Sequence, residues 1–392
     1  SQRQASSTYS RYRYLGEAGG LYSSSTENYM ANYVKPEGSK SARIVVIGEA
    51  PGANENAARR PFVGATGATL TRWWKSVGLQ RSDFYLDNVV PYQPVRNDIT
   101  TVTVDDMARY VEELHVRLAA LTDPWLIVPM GNTALFALTG KSGILKHRGS
   151  IYEYVDRQDR RIKVIPTVHP AATFRERTLT RRCLRDWQRI AGDAAFRDLR
   201  LPYREHYIQP DIDDLRAYTE GVNRDAETLS LDIETPGGDL QCIGFSYDPS
   251  FSITIPTTKA YWGDELGEAM GAIAVLLWHE VPKVMQNGLF DSYYLAWYNL
   301  TVANWQWDTL AMHHAICPND SHDLAYMASV DTREPYWKDE AKDPQEMKKY
   351  TSNQQAFWTY NGKDVAVTQE LKGIYYERLA GRPSEHDSRA VY

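Results

Sequence analysis

Arg43–Glu55 reads RIVVIGEAPGANE. Four β-branched residues, Ile44 to Ile47, run into Gly48, an acid, a proline and a second glycine. β-Branched side chains favour an extended strand, and a glycine-rich break directly behind it marks a place where the backbone comes close to another group. The same texture returns in FYLDNVV (84–90), WLIVPMG (125–131) and IKVIPTVHP (162–170). Between these strands lie helical patterns, TGATLTRWWKSVG (66–78) and VDDMARYVEELHVRLAAL (104–121). Apolar strands alternating with helices indicate a three-layer α/β domain around a mostly parallel sheet. Ligands of such sheets bind beyond the carboxyl ends of the strands. The GEAPG loop, Asn88, the MGN turn at Met130 and His169 all follow strands, so they are expected to meet at one cleft.

The chain has 392 residues, too many for one ordinary domain. No apolar run reaches the length of a membrane span, and the N-terminus has no signal-peptide pattern. Three separated cysteines without a CxxC argue against a disulfide framework and for a reducing compartment. A cytoplasmic protein, bacterial or of a phage in its host, is the expectation. The net charge of −6 is unevenly spread. Residues 1–200 hold 29 basic against 20 acidic residues, and the remainder 15 against 30. That asymmetry suggests two modules, the basic one suited to phosphate contacts. Residues 1–40, rich in Ser, Tyr and Gly, read as an irregular arm, 41–200 as the first domain and 201–392 as the second. GDAAFRDLRLPYREHYIQPD, from Gly192, reads as a linker leading to a new strand.

In the second domain LSLDIET, CIGFSYD and FSITIP follow in quick succession and predict an antiparallel run of strands, with helices after them. Strand side chains alternate, so Asp232 and Glu234 face one side. Two such acids repel unless a cation sits between them, although DxE alone also suits a solvated strand face. VMQNGLFDSYYL sets Asp291 at a helix start, and YNGKD sets Tyr360 and Asp364 four apart on one helical face. In this order and spacing the three segments resemble the 3′–5′ proofreading exonuclease domain of family A DNA polymerases, across most of residues 206–380. The resemblance implies a mixed-sheet, ribonuclease H-like α/β fold and two Mg²⁺ or Mn²⁺ ions held by Asp232, Glu234, Asp291 and Asp364. It also implies that Tyr360 orients the attacking water. Asp308 fits a supporting position. Hard divalent ions prefer such carboxylate oxygens.

GEAPG, RRPFVGATGATL with Phe62 set in an exposed loop, NVV after a strand, MGNTA at 130–134 and TVHPAATFRER at 167–177 form another ordered set. Singly each has a bland reading: a turn cap for Asn88, a core ring for Phe62, a structural imidazole for His169. Together they resemble the family 4 uracil-DNA glycosylases over roughly residues 42–193. The resemblance implies that Phe62 stacks on a flipped uracil, Asn88 reads its edge and His169 stabilises the leaving anion. The carboxylate near the sugar is Glu49 or Glu55, with Glu55 preferred, since Ala50 stands where other glycosylase families carry an acid. Asn56 departs from the acid that often follows. Arg175, Arg177, Arg181, Arg182, Arg185 and Arg189 are expected to grip phosphates, the last three sharing a helical face.

Many members of that family hold an iron–sulfur cluster on four cysteines. Here the arm has none, and Tyr92 and Val111 stand where two others fall, so the cluster is expected to be absent. Tyr9, Tyr12, Tyr14, Tyr22 and Tyr29 are candidates to replace its packing. EHDSRAVY (385–392) resembles the segment before a family A polymerase thumb, which implies a C-terminal polymerase domain. The partners expected are DNA, single-stranded or primer-template, and other replisome proteins, with no membrane. The alternative to an active glycosylase is a non-catalytic DNA-binding or uracil-sensing module.

Overall fold

A computed structural model describes residues 33–338 and 354–381. Those five arm tyrosines and the EHDSRAVY segment lie outside the described residues. The chain divides into two compact units, Ser1–Arg200 and Leu201–Tyr392.

The first unit is built on a five-stranded sheet. Its strands are β1 (Ile44–Gly48), β2 (Phe84–Asn88), β3 (Leu126–Pro129), β4 (Tyr152–Val155) and β5 (Arg161–Val164), in the order β2-β1-β3-β5-β4. β2, β1, β3 and β5 run parallel, and β4 pairs antiparallel with β5 at the edge. All four strands read from the sequence are present. β4 escaped that reading because it is only four residues long and half exposed. Ile44 and Val46 point into a core with Leu70, Trp74, Phe84 and Trp187. Val45 and Ile47, equally buried, point to the opposite face, so both faces are covered. Helix Gly64–Ser76 contributes Leu70, Trp73 and Trp74. Helix Leu179–Asp193 buries Leu179, Cys183, Trp187 and Ile190, spaced to form one stripe. The rings of Trp74, Phe84 and Trp187 meet at centroid distances of 4.4, 5.8 and 6.0 Å.

The second unit carries a six-stranded mixed sheet. β6 (Glu205–Tyr207), β7 (Leu229–Glu234), β8 (Cys242–Asp248), β9 (Phe251–Pro256), β10 (Lys283–Met285) and β11 (Trp305–Asp308) stand in the order β11-β10-β7-β8-β9-β6. β7, β8 and β9 form the antiparallel run, while β10, β11 and β6 lie parallel to their neighbours. Helix Gln354–Leu379 packs across β7, β8 and β9. It is bonded to β7 where Ser230 Oγ donates to the Val365 carbonyl at 2.8 Å. In the first sheet the parallel strands β2, β1, β3 and β5 end along one edge, and side chains just beyond those ends lie there. Among the described residues, no helix is long and apolar enough to cross a membrane.

Candidate active sites

In the first unit the β1–β2 register sets Gly48 beside Asn88. A Cβ on Gly48 would stand 2.3 Å from Asn88 Oδ1 and 2.9 Å from Phe62 Cζ. The strand end lacks a side chain because the Asn88 and Phe62 side chains meet over its backbone. The expectation of an exposed Phe62 is corrected: the residue is 2% exposed. Its φ of +50° places it in the left-handed region. Arg81 fastens it there, donating to the Phe62 carbonyl at 3.0 Å and the Pro61 carbonyl at 2.7 Å while paired with Glu37 at 2.8 Å.

Asn88 is buried, and among the described residues its side-chain amide has no hydrogen-bond partner. Its backbone is fixed instead. Asp87 Oδ1 accepts from the Asn88 N–H at 2.8 Å, and Arg117 bonds both Asp87 Oδ2 (2.7 Å) and the Asn88 carbonyl (3.0 Å). Arg117, on the helix Val104–Ala119, is a positioning residue that sequence reasoning missed.

Past the β3 end, Met130 bridges Thr167, and Gly131 lies 3.7 Å from the His169 Cβ by the same construction. His169 caps the helix Pro170–Arg175, its Nδ1 accepting from the Ala171 N–H at 3.3 Å. An accepting Nδ1 places the proton of the neutral ring on Nε2. Burial lowers the His169 pKa to about 4, so the ring stays neutral at physiological pH.

The two candidate acids differ. Glu49 accepts from the Thr133 hydroxyl. Glu55 accepts from the backbone N–H of Gly52 at 2.5 Å. Burial raises the Glu55 pKa, opposed by hydrogen bonds from the Gly52, Phe62 and Val63 amides. Its carboxylate therefore ties the GEAPG loop to the loop carrying Phe62. Of the six arginines, Arg175, Arg177 and Arg181 are exposed, whereas Arg182, Arg185 and Arg189 are partly buried and engaged within the protein.

In the second unit Asp232 and Glu234 project from one face of β7, with Ile233 turned into the core between them. Oxygens of Asp232, Glu234 and Asp364 lie within 4.8 Å of one another. Asp291, at the start of helix Leu289–Trp297, accepts from the Ile233 N–H at 3.0 Å, which ties it to the same strand. Asp308 accepts from the amides of Asn287 (3.2 Å) and Gly288 (2.9 Å), fixing the turn that delivers Asp291, and caps its own helix through Leu310.

Burial together with Asp291, Glu234 and Asp364 drives the Asp232 pKa well up. Burial and the neighbouring acids raise Glu234 to about 8. Asp291 is pushed up to about 7, mainly by burial. A set of acids that resists ionising together is what a cation site looks like before its cation.

Three partners of these acids were not legible in the sequence. Asn361 Nδ2 donates to Asp232 Oδ2 at 3.1 Å. Gly244, directly opposite Asp232, gives it room, since a Cβ there would stand 2.4 Å from Asn361 Oδ1. Trp337 Nε1 donates to Asp364 Oδ1 at 2.7 Å, and Lys338 pairs with Asp364 Oδ2 while donating to the Tyr360 hydroxyl at 2.7 Å. Burial works against the Lys338 ammonium, but Asp364, Asp232 and Glu234 outweigh it and raise its pKa. A separate donor group, His313, Cys317 and Asp320, adjoins a chain of imidazoles in which His313 and His322 meet at 2.7 Å.

Residues 35–189 match the uracil DNA glycosylase superfamily. The type-4 uracil-DNA glycosylase of Archaeoglobus fulgidus is 37% identical over 166 residues, covering 41% of this chain and 80% of the relative. This chain belongs to the uracil-DNA glycosylase superfamily. A DNA polymerase of Bacillus phage SP01 is 29% identical over 144 residues, 36% of this chain but only 15% of that polymerase's length. Among solved structures, Brucella melitensis NrnC with bound Mg²⁺ is similar at a TM-score of 0.29 and 19% identity, covering 48% of this chain and 88% of the other.

In this glycosylase unit the residues at the expected cluster positions do not fit an iron–sulfur centre. Tyr92 packs edge-on against Tyr110 at 5.5 Å and hydrogen-bonds to it, with the Arg109 guanidinium 4.9 Å over the Tyr110 ring. Val111 offers no donor atom. Such a cluster needs thiolates, and the unit's one cysteine, Cys183, is buried with its thiol pKa pushed up to about 12, chiefly by burial.

Proposed function

We propose that the first unit removes uracil from DNA and the second is a divalent-metal-dependent 3′–5′ exonuclease, both serving a DNA polymerase. The convergence of Phe62 and Asn88 over Gly48, with a neutral His169 beyond the neighbouring strand ends, carries the first half of the reading. A base extruded from the stack would lie against the Phe62 ring. The Asn88 amide has an acceptor and a donor for uracil N3–H and O4. The Nε2–H of His169 would donate to uracil O2 as the bond from N1 to the sugar breaks and the base leaves as an anion. Of the two acids we assign Glu49 to orient water toward the sugar carbon, since the Thr133 hydroxyl engages it whereas loop amides occupy Glu55 in holding the Phe62 loop. The phage polymerase match supports the polymerase setting.

For the second half, the carrying observation is the carboxylates of Asp232, Glu234 and Asp364 meeting within 4.8 Å, with Asp291 tied to the same strand and the pKa values of Asp232, Glu234 and Asp291 raised. Asp232, Glu234 and Asp364 would hold one divalent ion, and Asp232 with Asp291 a second. Two such ions, when bound, supply charge stabilisation to the attacking and leaving oxygens of a phosphodiester. Asn361 holds the Asp232 carboxylate in place, Asp308 delivers Asp291, and the Tyr360 hydroxyl orients the attacking water.

A single-stranded oligonucleotide with one internal uracil, incubated in EDTA and then treated with alkali, tests the first half. Cleavage at the uracil is expected. Intact strand with tighter binding to the uracil oligonucleotide than to its thymine counterpart would replace the glycosylase with a sensor. A 5′-labelled oligonucleotide with Mg²⁺ tests the second: stepwise loss from the 3′ end, abolished by EDTA and by Asp232→Ala, is expected.

A further inference from the structure

The acids of the second unit are accompanied by a positive charge, the ammonium of Lys338. Lys338 Nζ pairs with Asp364 Oδ2, donates to the Tyr360 hydroxyl at 2.7 Å and sits 4.6 Å above the Tyr360 ring. The other Asp364 oxygen accepts from Trp337 Nε1 at 2.7 Å. Both oxygens of a carboxylate in the cation cage are thus engaged by adjacent residues of one segment. That segment is anchored nearby, where Glu334 pairs with the buried Arg204 at 2.8 Å. One ammonium cannot balance Asp232, Glu234, Asp291 and Asp364, so the site keeps its attraction for a divalent ion. Such an ion needs an oxygen that Lys338 holds.

We propose that Lys338 is the internal counter-cation of the exonuclease site, and that a divalent ion loads by displacing its ammonium from Asp364. The proposal rests on the exonuclease reading. It makes loading an exchange of cations on Asp364, and the ammonium leaves together with its hold on Tyr360, releasing that hydroxyl for water.

Mn²⁺ binding to the full chain, followed by the paramagnetic signal of the free ion at fixed pH, is the test. Removing an adjacent charge from a buried carboxylate site changes affinity by at least about tenfold, so Lys338→Met should bind Mn²⁺ at least that much more tightly than the unsubstituted protein. Lys363→Met, which removes a charge paired with Glu334 rather than with the cage, should stay within about twofold. Equal Mn²⁺ affinity for Lys338→Met and the unsubstituted protein, with Asp232→Ala abolishing binding, would overturn the proposal and leave the metal site standing. No Mn²⁺ binding by the unsubstituted protein, or binding untouched by Asp232→Ala, would overturn the exonuclease reading and the proposal with it. A second measurement needs no variant. Lys338 should react with an amine-modifying reagent several-fold faster when Mn²⁺ is present, read by mass spectrometry of its peptide; an unchanged rate refutes the displacement.

Discussion

At the scale of single residues, the proposed glycosylase pocket depends on one absent side chain and one uncharged ring. Gly48→Ala would push a methyl group to 2.3 Å from Asn88 Oδ1, so the amide and the Phe62 ring must part. The expected cost is about 1–3 kcal/mol of stability and a much larger loss of uracil release, measured by unfolding and alkali cleavage on the same preparation. His169→Ala should lower uracil release about 10²–10³-fold, the range for losing one donor to a developing anion, while binding to DNA is kept. The ring's pKa is about 4 in the fold against the ordinary 6.5. Stability from the neutral imidazole is therefore complete above pH 6.5 and lost as pH falls through about 4. Uracil release should show no acid limb between pH 5 and 8 from this group; an inflection near 6.5 that vanishes in His169→Ala would contradict the assignment.

At the scale of elements, the proposed exonuclease site is held by a segment whose grip is ionic. Arg204, just before β6, pairs at once with Glu334 and Glu370, and its side chain is 4% exposed. Removing one member of a buried ionic group strands the others without compensation, at a cost of about 3–5 kcal/mol. Arg204→Ala should therefore destabilise the second unit by that order in urea unfolding, and Arg204→Lys should recover part of it. What could be read in advance follows from local periodicity. Asp232 and Glu234 share a face because strands alternate, and Tyr360 and Asp364 share one because helices return every fourth residue. Lys338, Asn361 and Arg204 were not legible because their partners come from remote elements, and no local spacing encodes the meeting. Phe62 was placed wrongly for a local reason with a distant cause. Pro61 and Gly64 mark a loop, but the left-handed backbone that turns the ring inward is fixed by Arg81 and Glu55.

At the scale of the whole chain, each unit has its own hydrophobic core and its own cluster of candidate site residues. The excess of basic residues falls on the glycosylase unit, and its exposed Arg175, Arg177 and Arg181 are the candidates for gripping phosphate. Arg182, Arg185 and Arg189 are engaged inside the protein, so their substitution would confound grip with folding. Each arginine–phosphate pairing removed should flatten the dependence of log affinity on log salt by about 0.9 for a duplex and 0.7 for a single strand. Arg177→Glu with Arg181→Glu should remove about two such increments from DNA bound in EDTA, and an unchanged slope would place the interface elsewhere. Separate cores also imply separable chemistry. Asp232→Ala should abolish 3′ digestion in Mg²⁺ and leave the rate of uracil release in EDTA unaltered, because Phe62, Asn88 and His169, the residues proposed to act on uracil, belong to the first unit. His169→Ala should give the reverse pattern on the same oligonucleotide. If Asp232→Ala slowed uracil release with the second unit still folded, the two sites would be coupled through DNA or through the chain, and the polymerase setting would have to account for that coupling.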